Sequence, residues 1–76
     1  MKKVYLFLAY GFEEVEALTT VDLLRRAGIE VITVSISGNN AVTGAHSIPV
    51  IADIKLDESS FDDADAIVLP GGLPGV

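Results

Sequence analysis

The sequence contains no cysteine. That excludes disulfides, thiolate metal sites and a cysteine nucleophile among these residues, and leaves the redox compartment open. Positive charge is scarce, with Lys+Arg at 5 against Asp+Glu at 11 and a formal net charge of −6. No basic stripe exists to neutralise phosphates, so nucleic acid is not an expected partner. No stretch approaches the roughly 20 apolar residues of a membrane span, so no membrane partner is expected. The apolar run after Lys2-Lys3 is too short for a signal peptide, and Glu13, Glu14 and Glu16 follow it at once; a buried first strand is the better reading, and the cytoplasm the default location. There is a single histidine, His46, and no His/Glu/Asp cluster with ligand spacing along the chain, so neither a metal nor any other cofactor is expected. Length is also short: 76 residues, half of them hydrophobic (50%). A chain of this size buries only about 60% of its unfolded surface. So apolar a chain is expected to expose much of that surface unless a part absent from this sequence, or another chain, covers it.

What is present reads as alternating elements. Val4 to Ala9 is a continuous apolar run rich in β-formers, the mark of a strand buried on both faces of a parallel sheet. From Phe12 to Ala27 the period changes: Ala17, Leu18, Val21 and Leu24 form one helix face. Acidic residues crowd the first turns, Arg25 and Arg26 the last, and Gly28 follows at the position that ends a helix. Val31 to Ile36 is a second strand, and Ser37 to Asn40 a turn. Val42-Thr43 and Ile48 to Ile51 suggest a short hairpin whose second strand Pro49 demotes to an edge. Leu56 to Asp65 is acidic, with a turn or one-turn helix and Phe61 packed inward; Ala66 to Leu69 is another short buried strand. The order predicts an α/β fold with a doubly wound, mostly parallel sheet. Ligands of such sheets bind beyond the carboxyl ends of the strands. Two loops lie there: Tyr10 to Glu16 and Pro70 to Val76.

Those loops hold the candidate chemistry. Gly71, Gly72 and Gly75 follow a strand directly. This is either a plain tight turn or a backbone whose N–H groups can approach a ligand and stabilise an oxyanion. It matches neither the Walker pattern nor the dinucleotide fingerprint. Glu13 and Glu16 share a helix face and Glu14 points elsewhere. All three compensate the helix dipole, and one of them, buried beside the glycine loop, would resist ionisation and could donate a proton. Composition does not choose which. His46 reads as a surface residue. A receiver or flavin domain is disfavoured: Ala9-Tyr10-Gly11 lacks the clustered acids of a receiver, and Phe12-Glu13-Glu14 is hostile to phosphate.

The pattern Ala9-x-Gly11-x-Glu13-Glu14-x-Glu16, then Val21-Asp22-x-x-Arg25-Arg26-Ala27-Gly28, then Val68-Leu69-Pro70-Gly71-Gly72, resembles the ThiJ/PfpI superfamily. The match is nearest the branch that holds the Parkinson-disease-associated protein deglycase and its bacterial relatives. The resemblance covers essentially the whole chain. It implies that residues 1–76 are the N-terminal part of one flavodoxin-like α/β domain, whose remainder lies in a complementing C-terminal half. By resemblance, Glu16 supports a cysteine absent from this chain, and Gly71 and Gly72 supply oxyanion amides. Gly11 and Glu14 line the pocket mouth; Arg26 and His46 lie near the pocket or a dimer contact, His46 standing where arginine is usual. The implied parent is a homodimeric, cysteine-dependent glyoxalase or deglycase acting on small carbonyl substrates. The alternative is a non-catalytic redox-sensing or chaperone-like stress-response dimer.

Overall fold

The computed structural model describes residues 2–71. Four parallel strands form the main sheet in the order β5-β2-β1-β6: β1 (Lys3–Leu8), β2 (Glu30–Ser35), β5 (Ile54–Lys55) and β6 (Ala66–Val68). Between β1 and β2 runs α1 (Glu14–Arg26). A separate antiparallel hairpin pairs β3 (Ala41–Thr43) with β4 (Pro49–Ile51), Val42 opposite Val50. A turn of 3-10 helix at Leu56–Glu58 follows β5.

The register explains the core. Val4, Leu6 and Leu8 lie opposite Val31, Thr33 and Ser35 on one face of the sheet, where successive side chains alternate. That face is covered by α1 through Ala17 and Val21 and by the hairpin through Val42, with Ala52 and Phe12 closing the cluster. Leu6 and Leu8 are fully buried. Asp53 joins β5 to the neighbouring strand: its carboxylate accepts from the Thr33 amide (3.0 Å), and its own amide donates to the Thr33 hydroxyl (2.8 Å).

The helix begins two residues later than its pattern suggests. Gly11 takes a positive φ of 86°, and the Phe12 amide turns back to the Ala9 carbonyl (3.0 Å), so that Phe12 is buried before the helix starts. Glu13 is the cap. At the far end the Ile29 amide donates to Leu24 O and the Gly28 amide to Arg25 O, both at 3.1 Å, with Gly28 at φ 83°. This is the paired hydrogen-bond motif for which a glycine is favoured.

The opposite face of the sheet is only partly covered. Phe61, at φ 62°, packs edge-on against Tyr5 and Phe7 with ring centroids 4.8 and 5.3 Å away. Ala66 to Leu69, expected to be a buried strand, is largely exposed: Ile67 is 52% and Leu69 73% accessible, and only Val68 packs against the core. The reason is position: β6 pairs only with β1 among the described residues and stands at the sheet edge.

Candidate functional site

The first turn of α1 places Glu14 and Glu16 in two different settings. Glu14 is 4% exposed, and the hairpin closes over its carboxylate. Oε2 accepts from the amides of His46 (2.8 Å) and Ile48 (3.4 Å), and Oε1 lies 2.7 Å from His46 Nδ1. The chain can wrap this closely because residue 44 is glycine: a Cβ there would fall 2.4 Å from the Glu14 carboxylate carbon. Ser47 at φ 64° completes the bend, and the Ala45 amide donates to Phe12 O (2.8 Å), tying the loop to the helix entry.

Burial alone would raise the Glu14 pKa, but the hydrogen bonds from the His46 ring and from the His46 and Ile48 amides outweigh it and hold the group down at about 2. The His46 imidazole is raised above its ordinary 6.5 by its bond to Glu14 and by the charges of Glu14 and Glu13, against a small burial effect. A glutamate buried among apolar neighbours beside the glycine loop was expected to resist ionisation; Glu14 is buried elsewhere, under the hairpin. There it sits in a cage of donors and is ionised.

Glu16, two residues further along the helix, is exposed and faces Gly71 instead of the hairpin. Its Oε1 accepts the Gly71 amide at 2.8 Å, and the Gly71 carbonyl in turn accepts the Glu13 amide at 2.8 Å. The helix start therefore holds Gly71 by both its N–H and its carbonyl. Its N–H is engaged by Glu16 rather than left free for an oxyanion. Gly72 lies outside the described residues. The Gly11 amide is likewise engaged, by Thr43 O at 2.9 Å.

Arg26 stands apart. It occupies the last turn of α1, about 18 Å along the helix axis from Glu14 at about 1.5 Å per residue, and its Nε bonds Asp22 at 3.0 Å. His46 is exposed, as a loop histidine should be, yet it is bound to Glu14 by both its amide and its ring.

Two features escaped the sequence reading. One is an apolar cavity of about 210 Å³ lined by Phe7, Ala9, Phe12, Ile36, Leu69 and Pro70. Its signal was available: Ala9, Ile36 and Leu69 each immediately follow a parallel strand, where ligands of such sheets bind. The other is the grouping of Glu13, Glu14 and His46, whose ligand atoms lie within 4.8 Å of one another and could hold a metal ion. No linear spacing reveals it, because folding of the hairpin brings His46 to the helix from 32 residues away.

Residues 2–76 match the model of the DJ-1/PfpI family. The chain is 40% identical over 74 residues to protein DJ-1 homolog B of Arabidopsis thaliana, covering 97% of this chain and 17% of that protein. It is 39% identical to protein dj-1beta of Drosophila melanogaster, covering 97% of this chain and 40% of that one. Among solved structures, a DJ-1 superfamily protein of Salmonella typhimurium, crystallised as a cysteine-to-alanine mutant, superposes with a TM-score of 0.91 at 49% identity over 96% of this chain and 40% of that one. Oxidised DJ-1 of Toxoplasma gondii superposes with a TM-score of 0.93 at 35% identity, over 97% of this chain and 40% of its own. The chain thus spans less than half the length of these relatives, and its α/β fold is a part of their flavodoxin-like domain.

Proposed function

The chain belongs to the DJ-1/PfpI family, and on that premise we propose that residues 1–76 are the N-terminal part of one α/β domain of a cysteine-dependent enzyme acting on small carbonyl compounds, of the glyoxalase or protein deglycase type. A complementing C-terminal part supplies the cysteine, and the assembled protein is a cytoplasmic homodimer. The observation that carries this reading is the Glu16 carboxylate, hydrogen-bonded to the Gly71 amide at the carboxyl end of the sheet, close in sequence to an apolar cavity lined by Leu69 and Pro70. In the reaction the thiolate adds to an aldehyde carbon and the carbonyl oxygen becomes an alkoxide. Glu16 orients the sulfur, and backbone N–H of the Gly71-Gly72 segment donates to the alkoxide. Because the Gly71 N–H is held by Glu16, the Gly72 N–H is the principal oxyanion donor. With a 2-oxoaldehyde, net addition of one water gives the 2-hydroxy acid. That a similar Salmonella protein was studied as a cysteine-to-alanine mutant supports a cysteine at the centre of the family's chemistry.

The test is methylglyoxal turnover by the full-length protein. Glu16→Gln is expected to lower kcat/KM by about 10²-fold, the lower end of what one positioned acid–base group contributes, and to raise the cysteine pKa. Unchanged kinetics and an unchanged cysteine pKa would remove Glu16 from the mechanism. A second reading, a redox-sensing or chaperone-like stress protein, is favoured by the similar Toxoplasma protein having been solved in an oxidised form. Absence of turnover with small 2-oxoaldehydes, together with reversible oxidation of the cysteine, would decide for it.

A further inference from the structure

We propose that Glu13, Glu14 and His46 form a binding site for a divalent transition-metal ion, with zinc the best fit, that clamps the β3–β4 hairpin to the start of α1. The three donors come from two segments that only the tertiary fold unites, and their ligand atoms lie within 4.8 Å of one another. Glu14 is the anchor. One of its oxygens is held by the amides of His46 and Ile48, which fixes the carboxylate plane and leaves Oε1 facing the ring nitrogen of His46 at 2.7 Å. Oriented by partners of this kind, a ligand gives up little freedom when a metal arrives. Glu13 Oε1 stands 3.8 Å from the same His46 Nδ1.

Bonds of about 2.0–2.2 Å in tetrahedral array set donor atoms about 3.3–3.5 Å apart. To reach that spacing, the Glu14–His46 pair opens by less than an ångström and the Glu13–His46 pair closes by less. Both movements are small ones: His46 is exposed, and Glu13, half-buried, strains at most its long cap bond to the Val15 amide. The ion takes the place of the hydrogen now between Nδ1 and Oε1, and water completes the coordination. Two carboxylates and a neutral imidazole balance a divalent charge. The helix start opposes a cation with only about half a positive charge against two full negative ones. The imidazole selects among metals: hard calcium and magnesium prefer all-oxygen sets, whereas zinc accepts mixed nitrogen and oxygen donors.

The experiment is calorimetric titration of zinc chloride into the chelator-treated full-length protein in a non-coordinating buffer. The expected result is saturable binding that His46→Gln and Glu13→Gln each weaken at least about tenfold, the scale on which even outer partners of a metal site matter. Magnesium and calcium in excess should not compete. Should His46→Gln fold poorly by circular dichroism, Glu13→Gln carries the test, since glutamine keeps an oxygen for the 3.4 Å cap bond to the Val15 amide and loses only the charge that faces His46. Cobalt substitution should give an absorption spectrum without a thiolate charge-transfer band, which separates this site from any cysteine elsewhere in the protein. No saturable binding, equal affinity in the variants, displacement by calcium, or a thiolate band would each overturn the proposal.

Discussion

The two faces of the sheet are built from similarly apolar residues but are closed to different degrees. On one face, Val4, Leu6 and Leu8 meet α1 and the hairpin, and even the buried carboxylate under the hairpin, Glu14, has both oxygens engaged. On the other, Phe61 covers Tyr5 and Phe7, while Ile67 and Leu69 remain open beside the cavity. Side-chain hydrophobicity does not distinguish the faces; the cover does. The closed face carries the stability of this part of the chain, and the open face carries the surface where the rest of a domain or a substrate can sit.

Breaking the closed face should have the largest effect. Leu6→Ala removes a fully buried side chain and should cost about 2–5 kcal/mol by urea denaturation of the full-length protein. The same measurement on Ile67→Ala sharpens the contrast. If the remainder of the domain covers the open face, its cost should approach the Leu6 value; a loss within about 0.5 kcal/mol would show that this face stays exposed. Gly44→Ala, which forces a Cβ against the Glu14 carboxylate, should cost about 1–3 kcal/mol as an overpacked site.

Acid tests the polar part of the closed face. Glu14 is held down to about 2 from an ordinary 4.5, so the stability it contributes is present above about pH 4.5 and is lost as pH falls from there towards 2. His46 is raised above 6.5, so its contribution is full below that value and fades as pH rises through its folded pKa. Denaturation midpoints in chelator-containing buffer should therefore fall on both sides of a plateau between about pH 4.5 and 6.5, and Glu14→Gln should flatten the acid limb. Gly28→Ala, at φ 83°, should cost about 1 kcal/mol. The smallest effect is expected of Arg26→Ala: an exposed pair with Asp22 four residues away should change stability by no more than about 0.5 kcal/mol.

The legible parts of the fold are those whose signals are local. The β1 run, the 3.6-residue period of α1, its charge asymmetry and Gly28 describe elements that form as expected, apart from the helix start displaced to Glu14. The two-residue strand Ile54–Lys55 was missed because so short a pairing has no periodicity of its own and exists only through β2. Glu14 shows the limit within the candidate site. Its place on the helix assigned it a different direction from Glu13 and Glu16, but not a partner. Its burial, its ionised state and its bond to His46 depend on a hairpin whose approach is permitted by Gly44.

By itself the sequence determined the element types, the acidic helix start, the glycines that follow the last strand and the absence of a thiol, because each follows from residue chemistry and short-range spacing. Tertiary structure alone decided which face was closed, which carboxylate was buried and charged, which amides were already engaged, and that Glu13, Glu14 and His46 meet. Those outcomes depend on contacts between segments tens of residues apart, and their energies come from burial and hydrogen bonding that no local pattern encodes.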